Sequence, residues 1–214
     1  MTRNTIFSRT TETPNVTTDD DRTIAGLLLF VLGAGFMTAI MLAAALVPGY
    51  DFRGGAISDL GVFSESALLF NGGLLVVAAL NLAGGYLLYR RHDKTWLLAI
   101  YALASIGAVG TGLFPLDTGD AHSVFALLAF LFFNLEAIGT ATLLRGAMRA
   151  ISVLAGMVGI VFLVLMAIGD GGNTAAFGPI GHGGTERMII YPVMLWMVGF
   201  GGYLLGDTPT PDVK

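Results

Sequence analysis

Six long apolar stretches, separated by short polar connections, organise this chain. The first is an uncharged run from Ile24 to Val47, 24 residues long. A bilayer core of roughly 30 Å needs only about 20 residues at 1.5 Å each. Five more stretches follow at about 66–89, 96–114, 122–144, 150–169 and 188–205. Their apolar positions are continuous rather than alternating, which excludes a membrane barrel and predicts helices. The expected fold is all-α: a polytopic bundle of six transmembrane helices over 24–205. Residues 1–23 are polar and threonine-rich with nothing to bury, and are expected to be a disordered tail. Residues 206–214 are expected to form a short second tail.

Lysine and arginine set the orientation. Arg3, Arg9, Arg22, Arg90, Arg91, Lys94, Arg145, Arg149 and Lys214 account for nine of the eleven, and only Arg53 and Arg187 fall in the other connections. This positive-inside bias predicts a cell-membrane protein with both termini in the cytoplasm. The 1–2, 3–4 and 5–6 connections would then face outward.

Composition narrows the chemistry. Charged residues make up 12% of the 214 residues, against about 25% in soluble domains. A net charge of −4 argues against a nucleic-acid partner. Cysteine is absent, which rules out disulfides, thiolate metal ligands and a cysteine nucleophile. The lipid bilayer is the expected partner; cofactors and oligomeric state stay open.

Candidate chemistry gathers on the outward connections. The 48–65 and 170–187 stretches are both 18 residues long, and connections of that length are more often functional or structured than idle. Ser58, Asp59, Asp117, His122, His182, Glu186 and Arg187 are the candidate ligand-binding residues. His182 and Glu186 have i, i+4 spacing; with His122 and Asp117 opposite they would suit a nitrogen/oxygen metal site. Against this, Gly183-Gly184 reads as loop, and acids beside helix starts also serve as caps. Ser58 could be a nucleophile with His122 or His182 as base, or an amino-terminal cap. Arg187, near low-dielectric lipid, is expected to pair with an acid from another connection, Asp59 first. Glu136 differs in kind: it sits roughly 13 Å from the inner end of its helix, where an exposed carboxylate is expensive. It should face the bundle interior, with Asn71, Asn81 or Tyr101 as partners, either as a functional group or as a clamp between helices.

Ile57-Ser58-Asp59-Leu60-Gly61, Gly112-Leu113-Phe114-Pro115 followed by His122, and Glu186-Arg187 followed by Tyr191 resemble the prokaryotic membrane proteins grouped as domain of unknown function family 998. The resemblance covers about 24–205, implies a six-helix membrane bundle and points to the same outer-face residues; it does not imply any particular activity. A fainter likeness, through Ser58, Asp59, His122 and His182, is to the alkaline ceramidase and adiponectin-receptor group of zinc-dependent membrane hydrolases; the paired histidines of their last helix are missing. Three functions therefore stand open. One is an outer polar site binding a lipid headgroup or small solute. The second is a membrane-embedded hydrolase, with or without a metal, acting on lipid. The third is a proton-coupled carrier using Glu136.

Overall fold

A computed structural model describes residues 16–206, with side chains from Asp20 onward. It contains six long helices: α1 Val16–Leu46, α2 Ala67–His92, α3 Thr95–Leu113, α4 Asp120–Thr140, α5 Gly146–Asp170 and α6 Gly181–Gly206. No strand occurs among the described residues. All six helices are long and apolar enough to cross a membrane. The chain is therefore a multi-pass membrane protein built as an all-α bundle.

Each helix packs on its sequence neighbours, and α1 packs on α6 to close the ring. Small residues set the separations. A Cβ added at Gly26 of α1 would come within 2.9 Å of the Gly201 carbonyl of α6, so only glycine permits that approach. Ala104, Ala108 and Gly112 form a buried stripe along α3, with Gly112 against Asn71 and Leu74 of α2. The core between these seams holds Leu29, Tyr101, Trp196, Met197 and Phe200, each no more than 2% exposed.

Two boundaries differ from the pattern-based expectation. α1 begins at Val16, so residues 16–23, expected to belong to the tail, continue the first helix. Asp21 there pairs with Arg90 at the end of α2 at 3.3 Å, which ties this extra turn to the bundle. The rest of both expected tails, 1–15 and 207–214, lies outside the described residues. The second difference matters more: α6 starts at Gly181, not near 188, and Gly183-Gly184 lies in its first turn. Glycine disfavours helix by about 1 kcal/mol. Here the backbone of the 1–2 connection occupies the space a side chain would need, with Gly55 O against the Gly183 Cβ position. Gly183 N–H donates to Arg53 O at 2.9 Å across the same contact. Tertiary packing overrides propensity, and Glu186 and Arg187 become interior helix residues rather than interfacial anchors.

Candidate functional site

The 1–2 connection is held in place by short-range hydrogen bonds. Asp51 accepts from Arg53 N and Gly54 N, both at 2.9 Å, forming a tight turn. Asp59, in the 3₁₀ turn Ser58–Gly61, folds back so that Oδ2 accepts from Ala56 N at 2.8 Å. The Tyr50 hydroxyl donates to Ala56 O at 2.5 Å. Burial, opposed by the adjacent Arg187, pushes the Tyr50 phenol above its usual value of 10.0.

α6 docks into this connection through consecutive side chains pointing different ways. Glu186, 2% exposed, accepts from Ser58 Oγ at 2.6 Å through Oε1 and from Ile57 N at 2.5 Å through Oε2. Arg187, 8% exposed, donates through Nη1 to Phe52 O (3.0 Å), Gly55 O (2.9 Å) and Gly183 O (2.7 Å). Its Nη2 donates to the Tyr50 hydroxyl at 2.8 Å. The guanidinium carbon lies 5.0 Å from the Phe52 ring centroid and 5.6 Å from that of Tyr50. The expected Arg187–Asp59 pair is therefore not formed. Carbonyls and aromatic faces hold the cation instead, and Asp59 Oδ2 folds back onto Ala56 N within its own turn.

Three connections meet around one cavity of about 550 Å³. Ser58 and Asp59 come from the 1–2 connection, His122 from the first turn of α4, and His182 and Glu186 from the first turns of α6. Asp170 at the end of α5 joins them. Its Oδ1 lies 3.2 Å from His182 Nε2, a pairing that the spacing of twelve residues does not signal. His122, 3% exposed, places Nδ1 2.9 Å from Phe114 O. A carbonyl can only accept, so Nδ1 carries the hydrogen, and a neutral ring keeps its Nε2 as an acceptor. Apart from Ser123, the side chains that α4 and α5 add below these groups are apolar: Ala126, Leu127 and Phe130 from α4, and Leu163, Met166 and Ala167 from α5. A second void of about 40 Å³ shares Ser58, Ala126, Phe130 and Glu186 with the first and extends toward Phe36 and Phe70.

Of the sequence candidates, Asp117 and Arg187 are not in the cavity wall. Asp117 lies exposed in the turn Leu116–Thr118, and Arg187 braces the 1–2 connection. The metal arrangement of His182, Glu186, His122 and Asp117 is not assembled: among the described residues no three His, Asp or Glu side chains are placed to hold a metal ion. Tyr50 was not singled out in the sequence, because its role depends on contacts 137 residues away.

Glu136 stands apart from this site. It is fully buried, and Oε1 accepts from Asn81 Nδ2 of α2 at 2.7 Å. Asn81 also reaches Tyr101 O and Ser105 Oγ of α3, both at 3.2 Å, so the cluster joins three helices. Of the three partners open from sequence, Asn81 is the one used. Glu136 lines neither cavity.

The model of the protein family of unknown function DUF998 matches residues 24–203. The chain belongs to this family. No curated protein and no solved structure is significantly similar to it. DUF998 membership therefore agrees with the membrane bundle and assigns no chemistry to the cavity.

Proposed function

We propose that this DUF998 protein binds a lipid-like amphiphile at the outer face of the membrane, the head among the polar groups and the chain between α4 and α5. One observation carries the reading: a single cavity has a polar wall built from three connections and an apolar wall built from two membrane helices. Leu127, part of that apolar wall, is 54% exposed on the bundle surface, where acyl chains would meet it. The volume of about 550 Å³ lies within the range of small-molecule sites, roughly 300–1,000 Å³. The nine-to-two distribution of Lys and Arg supports placing this end outside.

The hydrolase reading has one observation in its favour, the 2.6 Å bond from Ser58 Oγ to Glu186. Acyl transfer also needs donors for a developing oxyanion. Around Ser58 those donors are engaged: Gly54 N and Gly55 N on Asp51, Ala56 N on Asp59, Ile57 N on Glu186, Asp59 N on Ala56 O, and Leu60 N on Ile57 O. The pair makes a fixed wall, which favours binding over catalysis.

The test is native mass spectrometry of the full chain released from membranes, with Ala167→Trp as a blocking variant. Ala167 is on the cavity wall and exposed, so the larger side chain can be accommodated without disturbing the core. Wild type should retain one amphiphile per chain, and the variant should lose it at unchanged melting temperature. Absence of any retained amphiphile, or retention unaffected by Ala167→Trp, would sink the reading.

A further inference from the structure

The cavity's side-chain hydrogen-bonding groups are almost all acceptors. The Ser58 hydroxyl hydrogen goes to Glu186, that of Ser123 to Gly119 O at 3.3 Å, and His182 Nε2 faces Asp170. The side-chain atoms left without a partner here include the second oxygen of Asp59, the second oxygen of Asp170, His182 Nδ1 and His122 Nε2. His122 is 3% exposed and no hydrogen bond among the described residues takes that nitrogen, although its ring forms part of the wall.

Charge points the same way. Three carboxylates, Asp59, Asp170 and Glu186, line the cavity with two imidazoles, and no Lys or Arg does. Glu186 is turned onto Ile57 N and Ser58 Oγ, so the charge that a ligand meets is that of Asp59 and Asp170. The amino ends of α4 and α6 lie at this end and each contributes about half a positive charge, which with neutral imidazoles leaves the balance negative. The two arginines of these connections are turned elsewhere, Arg187 onto the 1–2 backbone and Arg53 Nε onto Pro179 O at 3.1 Å. A phosphate head would meet carboxylates and side-chain acceptors, with no Lys or Arg in the wall to pair with it.

Building on the amphiphile reading, we infer that the cavity selects an amphiphile whose head is a primary ammonium, received by Asp59, Asp170 and His122 Nε2. An ammonium brings three donors and no acceptor, which complements this wall. Its hydrocarbon chain lies along Leu127, Phe130 and Leu163.

The experiment compares three probes of equal chain length, a long-chain primary alkylamine, the alkyl alcohol and the alkyl phosphate. Each is titrated into the purified full chain in phosphatidylcholine nanodiscs. The amine should bind at least about tenfold more tightly than either other probe, a difference of roughly 1.4 kcal/mol. Asp59→Asn with Asp170→Asn should remove that preference, bringing the amine's affinity down to the alcohol's. In Asp59→Asn the side-chain amide oxygen can still accept from Ala56 N, so the turn survives. Phosphate or alcohol binding as tight as the amine overturns the ammonium assignment and leaves the amphiphile site standing. An amine preference that survives the double variant overturns the assignment to these residues. If none of the three probes binds, the amphiphile reading itself fails.

Discussion

Arg187→Met tests whether the guanidinium is what holds the 1–2 connection against α6. Four hydrogen bonds leave Arg187, and three of them, to Phe52 O, Gly55 O and the Tyr50 hydroxyl, cross to that connection. Hydrogen bonds to a charged group contribute about 1.5–3 kcal/mol each. The two ring contacts at 5.0 and 5.6 Å add roughly 0.5–2 kcal/mol. Desolvating the guanidinium offsets several kcal/mol of this total. Methionine relieves that penalty but leaves Phe52 O without its donor and Gly55 O with only the 3.2 Å contact from the Tyr50 hydroxyl. The net loss should be about 3–5 kcal/mol, in the range seen when one partner of a buried charged contact is removed. Lysine keeps the charge but lacks the planar fork and ring stacking, so Arg187→Lys should lie between the two. The assay is equilibrium unfolding in mixed detergent–SDS micelles, read by tryptophan fluorescence. Amphiphile retention should fall in parallel, because Gly54 and Ala56 belong to both the braced connection and the cavity wall. Destabilisation below about 1 kcal/mol, under a single charged hydrogen bond, would refute the reasoning and make Arg187 a bystander.

Three further outcomes are expected. Glu136→Leu leaves the Asn81 amide short of its nearest acceptor and should destabilise by about 1–3 kcal/mol in the same assay; Glu136→Gln, which keeps an acceptor oxygen, should cost less than half as much, and equal effects would show that the hydrogen bond contributes nothing. Topology reporters fused after Arg91 or Arg145 should read as cytoplasmic and one near Asp120 as external, and the reverse pattern would invert the proposed site's face. Tyr50 titrates above its usual value of 10.0 in the folded protein, so its neutral form stabilises the fold below that pH and the contribution is lost as pH rises through the raised value. The melting-temperature advantage of wild type over Tyr50→Phe should therefore be constant near neutrality and shrink above about pH 10; an advantage that persists undiminished to strongly alkaline pH would contradict the assignment.

The helix count and the convergence of polar residues at one end were legible because both follow from one-dimensional rules. A bilayer-length apolar run reports a span whatever its neighbours are, and an even number of spans brings the 1–2, 3–4 and 5–6 connections to the same end. Ser58, Asp59, His122, His182 and Glu186 could be picked out on that basis, as could the interior position of Glu136, since an unpartnered carboxylate is costly in an apolar surrounding.

Partner choice was decided only in three dimensions. Sequence favoured an Arg187–Asp59 pair from opposite charge alone. In the folded chain Asp59 meets Ala56 N three residues away, while backbone carbonyls of the same connection surround Arg187. The start of α6 shows the same limit. Gly183-Gly184 looks like loop by propensity, yet the approach of Gly55 O makes a residue without a side chain the one that fits that first helical turn. That early start turns Glu186 inward onto Ser58 and Arg187 onto Phe52 and Tyr50. Local sequence determines which segments become helices and which end they share. Contacts between segments more than a hundred residues apart determine where a helix begins and which polar atoms remain open in the cavity, because their energies exist only once the bundle has closed.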